Sequence, residues 1–200
     1  MTNVNAHPER LWIELLVLDL TTCGRCRGAD RSLRAALDLV GDLFEATGTQ
    51  VEVERIEVQS GAQARELRFE SSPTIRVNGR DLAVELRESS CGSEGCTDGC
   101  SEQIACRVWP YRGREYTEPP VSMLVDAMLR AVYAGDAVED TADTQPYALP
   151  GNLERFFAGK AVAGSRKAAC CGVDEQRSCC GPTEKAECCD AASGAGCGCR

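Results

Sequence analysis

Apolar and charged positions divide the first two thirds of the chain into short segments of alternating type. LWIELLVLDL (11–20) is a nearly continuous apolar run, which predicts a strand covered on both faces. From 24 to 47, Leu33, Ala36, Leu37, Val40, Leu43 and Phe44 recur at three- and four-residue spacing, which predicts a helix closed by Gly48. VEVERIEV (51–58) alternates apolar with mostly charged residues, as a half-buried strand does. SGAQARELRF (60–69) predicts a short second helix. SSPTIRVNG (71–79) predicts a short strand that leads into an Asn78-Gly79 turn and returns as a strand over 80–87. Arg112-Gly113 marks a further edge hairpin within RVWPYRGREYTEPP (107–120), with Trp109, Tyr111 and Tyr116 covering core. Pro119-Pro120 open a helix over 121–133, with Val121, Leu124, Val125, Met128, Leu129 and Val132 on its buried face. Strand–helix–strand–helix–hairpin–helix is the order of an α/β layer on a mixed sheet.

Around that core the pattern fades. Residues 1–10 are polar and expected to be disordered, and His7, the only histidine, is expected to be solvated there. An acidic linker is expected from 135, ending in a short amphipathic helix over 149–160. That helix is capped by Asn152 and carries Leu153, Phe156 and Phe157 for docking. From 161 to 200 there is no aromatic residue and almost no large aliphatic one, which predicts a disordered tail.

The net charge of −9 argues against nucleic acid and against an anionic membrane surface as partner. The start of the chain has no basic, signal-like region, and the run at 11–18 is too short to span a bilayer. The expected location is the cytoplasm, where fourteen cysteines point to redox chemistry or metal binding more than to structural disulfides.

The first candidate chemistry is Cys23-Gly24-Arg25-Cys26, a CxxC between a strand and a helix. The first N–H groups of a helix lack partners and carry a partial positive charge. A thiolate held there has its pKa lowered from about 8.5 to roughly 4–7. Cys23 is then the nucleophile, Cys26 the resolving thiol, and Arg25 a nearby positive charge. Asp19 reads as a strand-end residue facing water, with a buried proton acceptor as the alternative.

The order of elements, TTCGRC after the first strand and SSPT before the third strand together resemble the thioredoxin-like superfamily over 11–133. Within it the chain is similar to a domain of unknown function with a cysteine-rich insertion. The resemblance implies a three-layer α/β fold with a mixed four-stranded sheet over 11–134. It implies that Pro73 is a cis-proline facing the CxxC, with the Ser72 backbone left to pair with an extended substrate. It also implies thiol–disulfide exchange with a thiol or disulfide substrate, a protein among the candidates. Gly24-Arg25 stands where thioredoxin has Gly-Pro and glutaredoxin Pro-Tyr. The nearest candidate for holding glutathione is Arg80-Asp81.

Two further cysteine groups carry the second candidate chemistry. In the insertion over 89–106, Cys91, Cys96, Cys100 and Cys106 are four thiols that match no standard zinc ribbon. They could complete a zinc or cluster site, form disulfides, exchange with the CxxC, or line a passive loop. In the tail, Cys170-Cys171, Cys179-Cys180 and Cys188-Cys189 repeat at a nine-residue interval that Cys197 continues, with Cys199 beside it. Adjacent cysteines pair poorly with each other but suit a soft ion that gathers thiolates from several turns of chain. Arsenite, mercury, Cu(I), zinc and cadmium are the candidates, for detoxification or delivery. The tail is similar to the cysteine-pair extensions of some bacterial arsenic- and mercury-handling proteins. A redox-buffering or dispensable tail is the alternative.

Overall fold

The computed structural model describes residues 10–83, 85–90, 105–134 and 146–168, with side chains to 160. By its contacts the chain falls into a unit ending at Phe157 and a second beginning at Ala158. The described part of the second is the continuation of a helix to Ala168. The predicted disordered start (1–10) lies outside the described residues except for Arg10. The linker to 145, the middle of the insertion and the tail from 169 lie outside them altogether.

The first unit is α/β. Strand β1 (Arg10–Val17) pairs in parallel with β2 (Gln50–Glu57), in register from Arg10 opposite Gln50 to Val17 opposite Glu57. On its other side β1 pairs antiparallel with β3 (Thr74–Val77), and β3 turns through Asn78-Gly79 into β4 (Arg80–Asp81). The result is a mixed four-stranded sheet of order β2-β1-β3-β4.

Period two along β1 builds the layers. Leu11, Ile13, Leu15 and Val17 enter one core with helix α1 (Gly24–Thr47) and helix α3 (Val121–Tyr133). Leu16, together with Leu18 just beyond the strand, enters a second core with helix α2 (Gly61–Glu66) and Leu153 and Phe156 of helix α4 (Gly151–Ala168). α1 has the bounds that the apolar spacing predicts, and it ends where Gly48 turns left-handed at φ 75°.

Four elements depart from the sequence reading. β1 stops at Val17 instead of 20, because Asp19 gathers the chain into a turn. β4 is two residues long instead of eight: Asp81 Oδ1 accepts the Ala83 N–H at 2.9 Å and turns the chain away. The ends of the insertion are not loop. β5 (Arg87–Ser90) pairs antiparallel with β6 (Ala105–Tyr111), Ser89 opposite Cys106, and β6 turns at Arg112-Gly113 into β7 (Arg114–Tyr116), giving a second sheet of three strands. Asn152 does not cap α4 but lies inside it, and its Nδ2 donates to Glu88 Oε1 at 2.8 Å and to the Ala105 carbonyl at 3.1 Å. Trp109 of β6 is fully buried in the first core, with Tyr111 and Tyr116 packed against it.

Candidate functional site

The turn after β1 is built by one carboxylate. Asp19 accepts hydrogen bonds from the backbone N–H and the hydroxyl of both Thr21 and Thr22, at 2.5–2.9 Å. Burial alone raises the pKa of its carboxyl. The bonds from Thr22 and Thr21 outweigh that and bring it down to about 2. Asp19 is therefore an ionised loop organiser, not a proton acceptor for the cysteines through its carboxylate.

That turn delivers Cys23 to the N-cap of α1. Its sulfur accepts the Cys26 backbone N–H at 3.4 Å, as an N-cap side chain does. Both thiols are buried, Cys23 5% and Cys26 1% exposed. Ser72 lies against the pair: its Oγ is 3.4 Å from Cys26 Sγ and accepts the Leu18 N–H at 3.1 Å. The Ser72 hydroxyl keeps both its proton and a second lone pair for the Cys26 sulfur, so either group can be the donor. The next peptide bond, Ser72–Pro73, is cis, and Pro73 is buried.

A third thiol meets the first. Cys106, at the start of β6 and 3% exposed, makes a side-chain hydrogen bond with Cys23. That bond is the largest influence on Cys23. With bonds from the Cys26 thiol and the N–H groups of Cys26 and Arg25, it holds the Cys23 thiol far below its ordinary range, against the opposing effect of burial. Cys26 moves the other way. The hydrogen bond to Cys23 raises it first, and burial and the neighbouring negative sulfur raise it further, against the Ser72 hydroxyl and the Asp19 N–H. The two thiols thus move in opposite directions, Cys23 down and Cys26 up, as two coupled neighbours do.

Arg25 acts differently from the expectation. Its guanidinium donates to the Ser90 carbonyl at 2.8 Å, Ser89 Oγ at 3.0 Å, the Cys106 carbonyl at 3.3 Å and the Arg107 carbonyl at 3.5 Å. What Arg25 gives to Cys23 is its backbone N–H. The side chain clamps β5 and β6 over the start of α1. The Ser72 carbonyl, expected to await a substrate strand, accepts the Arg107 N–H of β6 at 2.8 Å. The Arg107 guanidinium is 1% exposed and pairs with Asp81 at 2.8 Å over the face of Trp109, so Asp81, half of the glutathione candidate, is already engaged.

Residues 11–128, more than half of the chain, match the model of the family described as Domain of unknown function (DUF2703). The chain belongs to that family. The DUF2703 match takes in Cys23, Cys26, Ser72, Pro73 and Cys106, and stops before α4 and the tail. Neither a curated protein nor a solved structure matches the chain.

Within the DUF2703 stretch, the structure gathers Cys23, Cys26, Arg25 and Pro73 of the predicted residues, and brings to them Cys106 of the insertion, for which metal binding, a disulfide, exchange with the CxxC and a passive loop were all open. Among the described residues no group of three or more His, Cys, Asp or Glu is placed to hold a metal ion. Cys91, Cys96, Cys100, Cys170, Cys171, Cys179, Cys180, Cys188, Cys189, Cys197 and Cys199 lie outside the described residues. Cys106 was read with the insertion's other cysteines and Ser72 only for its backbone; the Ser72 hydroxyl beside Cys26 went unread. The signal for Cys106 was the strand-like RVWPY directly after it, which puts the residue on a ladder and not in a loop. None of the described helices is long and apolar enough to cross a membrane.

Proposed function

We propose that this protein is a thiol–disulfide oxidoreductase of thioredoxin-like design. The observation that carries the reading is Cys23 Sγ at the N-cap of α1, accepting a backbone hydrogen bond where a thiolate is stabilised, with the buried Cys26 one turn further in. The βαβ start, the antiparallel β3 and the Ser72-Pro73 step beside the cysteines support the likeness to the superfamily. Cys23 thiolate attacks a disulfide and forms a mixed disulfide, releasing one thiol. Cys26 then gives up its proton and attacks Cys23, which closes Cys23–Cys26 and releases the second thiol. The Ser72 hydroxyl stabilises the Cys26 thiolate in that second step. Dithiothreitol-driven reduction of insulin disulfides tests the reading: Cys23→Ser abolishes turnover, and undiminished turnover in that variant removes it.

A second reading, capture of a soft metal or metalloid ion by thiolates, rests on the nine-residue repeat of cysteine pairs from Cys170 to Cys197. Titration of the reduced chain with arsenite, Hg(II) or Zn(II) tests it. Removing residues 161–200 lowers the bound stoichiometry under this reading, and an unchanged stoichiometry contradicts it.

A further inference from the structure

The nucleophile is enclosed. Cys23 is 5% exposed, and the side chain that meets its sulfur from outside the CxxC is Cys106, itself 3% exposed. Three further contacts hold Cys106 there. The Arg107 N–H donates to the Ser72 carbonyl at 2.8 Å, so β6 runs along the Ser72-Pro73 step. Arg25 grips the carbonyls of Ser90, Cys106 and Arg107. Ser71 Oγ donates to Glu88 Oε1 at 2.6 Å and fixes β5 to the same step. A strand of this chain thus lies beside the cysteines with its own thiol against the reactive sulfur.

We propose that Cys106 is the internal exchange partner of Cys23, so that the β5–β6 segment is the first substrate of the CxxC. This rests on the exchange reading above. After Cys23–Cys26 has formed, Cys106 as thiolate attacks Cys23 Sγ. The Cys23–Cys26 bond breaks, a Cys23–Cys106 bond forms, and Cys26 leaves as a thiolate that takes up the proton Cys106 lost. One disulfide replaces another, with no net oxidation and no outside reagent. The Ser72 hydroxyl, 3.4 Å from Cys26 Sγ, is placed to stabilise the departing sulfur. Because the fold already holds Cys106 against Cys23, the step needs no encounter in solution and outruns attack by free thiols at ordinary concentrations.

The test uses the full chain. Cys26→Ser is treated with one equivalent of diamide, quenched in acid, digested without reduction and mapped by mass spectrometry, its fold checked by circular dichroism. The expected product is a Cys23–Cys106 linked peptide as the dominant disulfide of Cys23, reduced about fivefold in Cys26→Ser carrying Arg25→Ala as well. The wild type, acid-quenched during reaction with oxidised dithiothreitol, gives an arm independent of any variant's folding, and there both Cys23–Cys26 and Cys23–Cys106 peptides appear. Cys23 joined instead to another cysteine, with Cys106 fully alkylated, overturns the proposal. If the wild type forms Cys23–Cys26 but never Cys23–Cys106, the internal partner falls and the exchange reading stands. If neither bond forms, both fall.

Discussion

Removing the Cys106 thiol isolates its hold on the nucleophile. In the native site Cys23 sulfur receives hydrogen bonds from two thiols, Cys106 and Cys26, and two backbone N–H groups, and the bond from Cys106 is the largest of these influences. A hydrogen bond to a charged group contributes about 1.5–3 kcal/mol, and a thiol is a weak donor, so the lower end applies. About 1.5 kcal/mol is about one pKa unit. Cys106→Ala therefore raises the Cys23 pKa by about one unit, whereas Cys106→Ser keeps a donor and gives back part of the shift. The assay is the rate of iodoacetamide labelling of the Cys23 peptide, followed by mass spectrometry from about pH 1 to 10 so that the low inflection is spanned and the other cysteines do not intrude. Loss of cover over the sulfur raises the plateau rate, but only a change in charge stabilisation moves the inflection. An inflection in Cys106→Ala at the wild-type pH, or below it, refutes the thiol-to-thiolate contact.

Other perturbations separate parts of the same site. Ser72→Ala removes the hydroxyl that faces Cys26 and the acceptor of the Leu18 N–H. It slows closure of Cys23–Cys26 from a mixed disulfide about fivefold in stopped-flow measurements, and costs about 1 kcal/mol in urea unfolding. Asp19, with its folded pKa lowered to about 2, stabilises the native state above the ordinary carboxylate pKa near 4 and loses that contribution as pH falls through 2. Screening at this partly exposed group leaves about 1 kcal/mol of it. Urea unfolding at pH 5 and pH 2 shows that loss in the wild type, and Asp19→Asn flattens it. Trp109→Ala empties a fully buried site and costs about 3–5 kcal/mol, read from the same denaturation curves.

Much of the frame was legible because its signals are local. The apolar spacing of α1 and the left-handed Gly48 that ends it lie within one segment, as do the Asn78-Gly79 and Arg112-Gly113 turns. The helix cap at Cys23 follows from a short turn that joins the first strand to that helix. What escaped was made by pairs distant in sequence. β6 reads as one arm of an edge hairpin, but its pairing with β5 is hidden until Ser89 meets Cys106 across the intervening insertion. Arg25 looks like a charge beside a thiol until β5 and β6 present four acceptors to it. Asp81 shortens β4 by accepting the Ala83 N–H, and Arg107 of β6, far along the chain, takes the same oxygen. Asn152 has the composition of a cap, but its amide is drawn to Glu88 and Ala105. Apart from the local Asp81–Ala83 bond, the deciding partner in each case is a group that the fold brings in from elsewhere.

The most direct test is the redox behaviour of Cys23 and Cys26 in the untreated wild-type chain. The protein is equilibrated at graded potentials in dithiothreitol buffers, then acid-quenched, alkylated and mapped. The account predicts a reversible Cys23–Cys26 disulfide whose ratio of oxidised to reduced form changes tenfold for about every 30 mV, as a two-electron couple requires. Cys23 and Cys26 both remaining open to alkylation at every potential would contradict it.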